Sequence, residues 1–183
     1  MRSDADISTK WVTDGYSTML RETDRQIRAQ TEGRSANFAF VSVGVGSWAH
    51  AVVVHYKFRS PNNRIVAVEP DTAACFKESL HCNQITPIET GETIMNGMNC
   101  GTPSMIAWPV MRSGVHAAVA VTDLESHEDV QYLQSQGVNA GPCGAATLAA
   151  LRKLCAQTSL SDKEDTIVVL FSTEGTREYE IPG

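Results

Sequence analysis

Gly44 and Gly46 lie in the segment Val43-Gly44-Val45-Gly46-Ser47-Trp48, between a β-like run, Phe38 to Val43, and a helix-like run, Ala51 to Tyr56. A strand that turns through glycine into a helix presents free backbone N–H groups to an anion. Glycine permits close approach, and the helix N-terminus adds partial positive charge. The chemistry this predicts is the holding of a phosphorylated cofactor. Two further positions fall at predicted strand ends: Glu69, and the pair Ser172-Thr173. Ligands of parallel sheets sit at the carboxyl ends of strands. The loop from Gly44, Glu69 and Ser172-Thr173 are therefore expected to line one crevice.

The same residues admit rival readings. Gly44-x-Gly46-x-x-Ala49 fits a dinucleotide fingerprint, and Glu69 follows where an acidic residue would bind ribose. A nicotinamide-dependent oxidoreductase is the function this would imply. Against it, a helix precedes the first strand, and about four strands are too few for two mononucleotide halves. A plain structural turn remains open for the glycines, a solvated strand end for Glu69, a turn-forming pair for Ser172, and helix-start packing for Trp48. Metal chemistry finds no support: His50 and His55 are five apart, not at the i, i+4 spacing of a helical metal site, and Cys75, His81 and Cys82 lack a second ligand pair.

These candidates need elements to position them. Residues Asp14 to Thr31 read as a helix, with Tyr16, Met19, Leu20 and Ile27 near one face and Gly33 breaking it. A buried strand follows at Asn37 to Val43, then a helix to about Phe58 and a turn at Pro61-Asn62-Asn63. Arg64 to Glu69 is a second strand stopped by Pro70, and Asp71 is expected to cap a helix from Thr72 to about Leu80. Ile85 to Arg112 is rich in Gly, Pro and Met and reads as irregular, with room for one short helix. Gly114 to Val121 is a third strand and Asp123 to Gln136 a helix ended by Gly137. A tight turn at Gly141-Pro142-Cys143-Gly144 leads into an alanine-rich helix to about Ala156, and Thr166 to Ser172 is the fourth strand. The predicted class is α/β, with a mainly parallel sheet of about four strands and helices on both faces.

The chain has 183 residues, read as one domain. Its net charge of −6, without a Lys/Arg cluster, argues against nucleic acid. No apolar run is long enough for a bilayer span, and the polar start lacks a signal-peptide core. Five cysteines without a pairing pattern read as reduced thiols, which points to the cytoplasm.

Taken in order, several segments resemble the fold-type II family of pyridoxal-phosphate enzymes (tryptophan synthase beta-like), and within it the diaminopropionate ammonia-lyase branch. Gly15-Tyr16-Ser17-Thr18-Met19, Gly44-Val45-Gly46-Ser47, Val68-Glu69-Pro70-Asp71 with Ala74-Cys75, and Thr93 through Gly101 carry the resemblance, followed by Trp108-Pro109 and Ser172-Thr173-Glu174-Gly175. The resemblance implies that Gly44, Val45, Gly46, Ser47 and Trp48 cradle the phosphate of pyridoxal 5'-phosphate, that Glu69 points toward the cofactor crevice, and that Ser172, or else Thr173, meets the pyridine nitrogen. A hydroxyl there is a neutral partner, which makes the ring a milder electron sink. It also implies a small amino-acid substrate and an α,β-elimination that releases ammonia.

Two departures stand beside it. Ala140-Gly141-Pro142-Cys143-Gly144 replaces a serine-rich glycine turn, so Cys143 either takes the place of a hydroxyl near the cofactor or packs at a helix start. The resemblance covers only the C-terminal half of the family architecture. None of Lys10, Lys57, Lys77, Lys153 and Lys163 lies in a segment like the family's Schiff-base lysine motif, so no catalytic residue is assigned. The expectations are therefore a truncated ammonia-lyase-like enzyme, or a non-catalytic module of the same fold that pairs with a full-length homologue, and in either case a homo-oligomer or an association with a missing half.

Overall fold

A computed structural model describes residues 4–59, 62–158 and 165–183. Helix α1 spans Asp4–Gln30, and strand β1, Phe38–Ser42, leads through the glycine loop into α2, Ser47–Arg59. Strand β2, Arg64–Pro70, is followed by a short 3-10 turn at Asp71–Ala73 and by α3, Cys75–His81. Helix α4, Trp108–Gly114, runs directly into β3, Val115–Val121. Then come α5, Asp123–Ser135, α6, Pro142–Gln157, and the three-residue strand β4, Val168–Leu170.

The four strands are all parallel, in the order β3-β2-β1-β4. Alternation along the central strands explains why both sheet faces carry helices. Ala39, Val41, Ile65 and Ala67 join Val52, Tyr56 and Met111 in one core on the α1–α2–α4 side. Phe40, Val66 and Val68 join Ala146, Ala149 and Ala150 of α6 in a second core on the other side. Burying each such Val, Ile or Phe is worth about 1.5–3 kcal/mol. A polar substitution at Ala39, Phe40 or Val41 would therefore harm one face or the other.

Several boundaries differ from the sequence expectation. Helix α1 begins at Asp4 rather than Asp14, since the stretch before Asp14 has no breaking Gly or Pro, although it lacks an apolar stripe. Strand β2 includes Pro70, which is paired with Val121 as the last residue of the strand. Asp71 does not cap α3. It opens the 3-10 turn, and Ala74 is the helix N-cap without any side-chain hydrogen bond. Pro142, Cys143 and Gly144 are not a turn ahead of a helix but the first residues of α6, with Gly141 as N-cap and Pro142 at a position where its missing N–H costs nothing. Of the predicted turn at Pro61-Asn62-Asn63, Pro61 lies outside the described residues. Among the described residues, no helix is long and apolar enough to cross a membrane.

Candidate functional site

The strand order places the site. β1 is followed in sequence by β2 on one side, while β4 arrives on the other side, so the connection direction reverses at β1. At the carboxyl ends of β1 and β4 lies a cavity of about 410 Å³. Gly44, Val45, Gly46, Ser47 and Trp48 form one wall, and Thr173 and Glu174 another. Tyr16, Gly97, Met98 and Cys143 complete it, with Ser42 at the base.

The glycines are required by close packing. A Cβ on Gly44 would lie 2.7 Å from the carbonyl oxygen of Gly97, a backbone atom that cannot step aside. Gly46 has φ +99°, a conformation that side chains strongly disfavour, and a Cβ there would meet Met111 Sδ at 2.6 Å. The loop is held from outside by the Ser104 N–H, which donates to the Val45 carbonyl at 2.8 Å. The first helical hydrogen bond of α2 runs from His50 N–H to the Gly46 carbonyl at 2.8 Å. The N–H groups of Ser47, Trp48 and Ala49 precede that ladder, and the first turn of α2 carries no acidic residue. This combination suits a dianion.

Trp48 both packs and lines. Its indole sits 4.7 Å from the Tyr16 ring and edge-on to Phe171 at 5.1 Å, which fixes the start of α2 against α1 and the end of β4. Its Nε1 is buried and has no hydrogen-bond partner among the described residues.

Two expected site residues, Glu69 and Ser172, do not line the cavity, whereas Cys143 does. Glu69 is 1% exposed and does not line the cavity. Its Oε1 accepts from the Phe76 N–H at 2.7 Å and its Oε2 from the Lys77 N–H at 2.8 Å, so it caps α3 in the place foreseen for Asp71. Burial pushes its carboxyl up to about 7, against the opposing pull of these two N–H groups, the Lys77 charge and the Cys75 thiol. The ribose-binding role that the dinucleotide reading required of Glu69 is thereby removed. Ser172 is exposed and not on the cavity wall, and it lies so close to the start of α6 that a Cβ on Gly144 would overlap its Oγ. Cys143 is at a helix start and on the cavity at once, and burial, with Glu174 beside it, pushes its thiol up to about 11.

Glu174 was not foreseen as a site residue. It lies in the family-like segment Ser172 to Gly175, but its partner is 31 positions away: its Oε2 accepts from the Cys143 N–H at 2.7 Å. Its Oε1 accepts from Arg177 Nε at 2.7 Å, and its backbone carbonyl accepts from the Gly141 N–H at 3.0 Å. No local sequence pattern marks such a contact.

Among the described residues, no lysine lines the cavity. Lys57 donates to Ser113 Oγ at 2.9 Å, and Lys153 bonds the Ala120 carbonyl at 3.1 Å and Glu125 at 3.0 Å. Lys163 lies outside the described residues.

Comparison with known proteins fits this geometry. Residues 4–173 match the family model described as pyridoxal-phosphate dependent enzyme. The chain is 27% identical over 189 residues to diaminopropionate ammonia-lyase of Salmonella typhimurium, covering 93% of the chain and 46% of that enzyme. It is 26% identical over 143 residues to the biosynthetic L-threonine dehydratase of Corynebacterium glutamicum, covering 76% of the chain and 32% of that protein. The crystal structure of diaminopropionate ammonia lyase from Escherichia coli in complex with D-serine superposes with a TM-score of 0.78 at 25% identity, covering 90% of the chain and 44% of that structure. The chain thus spans about half the length of the curated relatives it matches.

Proposed function

The chain belongs to the pyridoxal-phosphate dependent enzyme family, and from that premise we propose that it forms the phosphate-holding half of an ammonia-lyase acting by α,β-elimination on a small amino acid such as diaminopropionate. The observation that carries this reading is the cradle itself. Gly44 and Gly46 let the loop pack tightly on Gly97 and Met111, and the start of α2, with no acidic residue in its first turn, borders a cavity large enough for a substituted pyridine ring.

When bound, pyridoxal phosphate supplies an electron-accepting ring that makes the α-proton of an amino acid acidic. The chain's own residues hold and orient. Backbone N–H groups from Ser47 to Ala49 would hold the cofactor's phosphate, and Thr173 would form part of the wall around the ring. Trp48, Tyr16 and Phe171 close the side of α2 against water. Cys143, held neutral by its high pKa, serves as packing rather than as a nucleophile. None of these groups supplies the amine that the elimination requires. In this reading the lysine comes from outside the described lining of the cavity, on the same polypeptide or on a partner.

The absence of a lysine among the described lining residues also favours a second reading, a non-catalytic module that binds a full-length homologue. A cytoplasmic setting suits both, as all five cysteines are free. The deciding experiment is ammonia release from diaminopropionate by the chain alone and after co-expression with the lysine-bearing half of a full-length relative. Cofactor retention with ammonia only in the mixture supports the enzyme reading. Stable co-purification without ammonia supports the module, and neither retention nor association overturns both.

A further inference from the structure

Two helices of good length begin at the cavity, α2 at Ser47 and α6 at Pro142. Each N-terminus attracts anions through its unpaired N–H groups and its dipole. They differ in one respect. The start of α6 is already filled by a carboxylate, since Glu174 Oε2 accepts from the Cys143 N–H at 2.7 Å. The fit is close: a Cβ on Gly141 would lie 2.7 Å from that same oxygen, so only glycine admits the carboxylate at the N-cap. Arg177 holds the other oxygen at 2.7 Å and anchors to the Ile94 carbonyl, so the acid cannot swing away. The pair also separates the cavity from a second, larger one of about 610 Å³, with Glu174 on the first side and Arg177 on the second.

We propose that Glu174 is a specificity-determining internal anion, which fills the α6 N-terminus and so confines a ligand phosphate to the single seat at α2. This rests on the reading that α2 seats the phosphate. The device sets ligand polarity. A molecule with one anionic end can enter only with that end toward Ser47, because the alternative seat is occupied. The internal charge does not repel the ligand strongly, as Arg177 and the α6 dipole neutralise it. Removing the acid would do more than vacate the seat: it would also free the Arg177 guanidinium to bind an anion there.

The test is phosphate stoichiometry by calorimetry on the 183-residue chain, with inorganic phosphate as probe and near-UV circular dichroism to confirm folding. The intact chain is expected to bind one phosphate. Glu174→Gln is expected to bind a second, which is lost again in the double variant Glu174→Gln/Arg177→Ala. Ser47→Asp, which places a carboxylate in the first turn of α2, is expected to abolish the original site. One phosphate in both the intact chain and Glu174→Gln, or two in the intact chain, overturns the proposal. Should Glu174→Gln not fold, Glu174→Ala takes its place: it vacates the Cys143 N–H and frees Arg177, so a second phosphate is expected, and strict retention of one overturns the proposal. If the intact chain binds none and Ser47→Asp changes nothing, the α2 seat is the reading that falls. In that case the role of Glu174 stands only if Glu174→Gln binds one.

Discussion

Glu69 and Phe76 are joined by a hydrogen bond of 2.7 Å from the Phe76 N–H to the Glu69 carboxylate, in a site where Glu69 is 1% exposed. An acid at the end of β2 therefore caps the helix that follows it, and Lys77 N–H adds the second bond. Because burial raises the folded pKa to about 7, above an unfolded value near 4.5, the folded state binds the extra proton. Stability from this group is fully present below the unfolded pKa and is lost as pH rises through about 7. The unfolding free energy of the intact chain from urea titration should fall between pH 5 and pH 8 by an amount on the order of 3 kcal/mol. Glu69→Gln should flatten that slope. Parallel profiles for the two proteins would refute the assignment. Glu69→Ala, which strips both acceptors, should cost about 1–3 kcal/mol at any pH.

The glycine cradle makes a graded prediction. Gly46→Ala must adopt φ near +99° and pushes only on a flexible methionine, so it should cost about 1–2 kcal/mol in thermal stability. Gly44→Ala meets the Gly97 backbone and must displace one of the two loops. It should lose at least tenfold in pyridoxal phosphate affinity, measured by fluorescence titration. Equal affinity in Gly44→Ala and the intact chain would count against the cradle.

Thiol reactivity should follow placement. Cys82 is exposed, whereas Cys143 is buried with its pKa pushed up to about 11 and Cys75 with its pKa pushed up to about 12. Timed alkylation with iodoacetamide at pH 7.5, read by peptide mass spectrometry, should label Cys82 first and Cys143 and Cys75 last. Early labelling of Cys143 would contradict its role as neutral packing.

The seam between α1 and α2 rests on His55 Nε2 and Asp24 Oδ2, 2.7 Å apart with the imidazole almost wholly buried. Asp24→Ala would leave the histidine buried without that partner. Chemical denaturation should show a loss of about 1–3 kcal/mol, and Asp24→Asn, which keeps one acceptor, should recover part of it. No change in either variant would show that the seam is held by apolar packing alone.

Much of the fold was legible because its signals are local. Phe38 to Val41 and Ile65 to Val68 are unbroken apolar runs, which is what a parallel strand covered on both faces requires. The Gly44–Trp48 loop announced a phosphate cradle for the same reason: strand, glycine and helix start are contiguous. The start of α5 is also marked locally, by the Thr122-x-x-Glu125 capping box. The start of α1 was hidden because helix propensity without an apolar stripe leaves no period to read.

Sequence alone determined the parallel α/β class, the strand–glycine loop–helix arrangement from Phe38 to Tyr56, and the lack of a family-like lysine motif, since each is a property of neighbouring residues. Tertiary structure decided which acids belong to the site. Glu69 lies at the carboxyl end of β2 and Glu174 just beyond that of β4, yet one is buried under α3 and the other faces the cavity from the start of α6. The physical reason is that a helix N-terminus binds whichever carboxylate the chain topology brings to it. Strand order, with β4 arriving beside β1, sets that pairing across tens of residues.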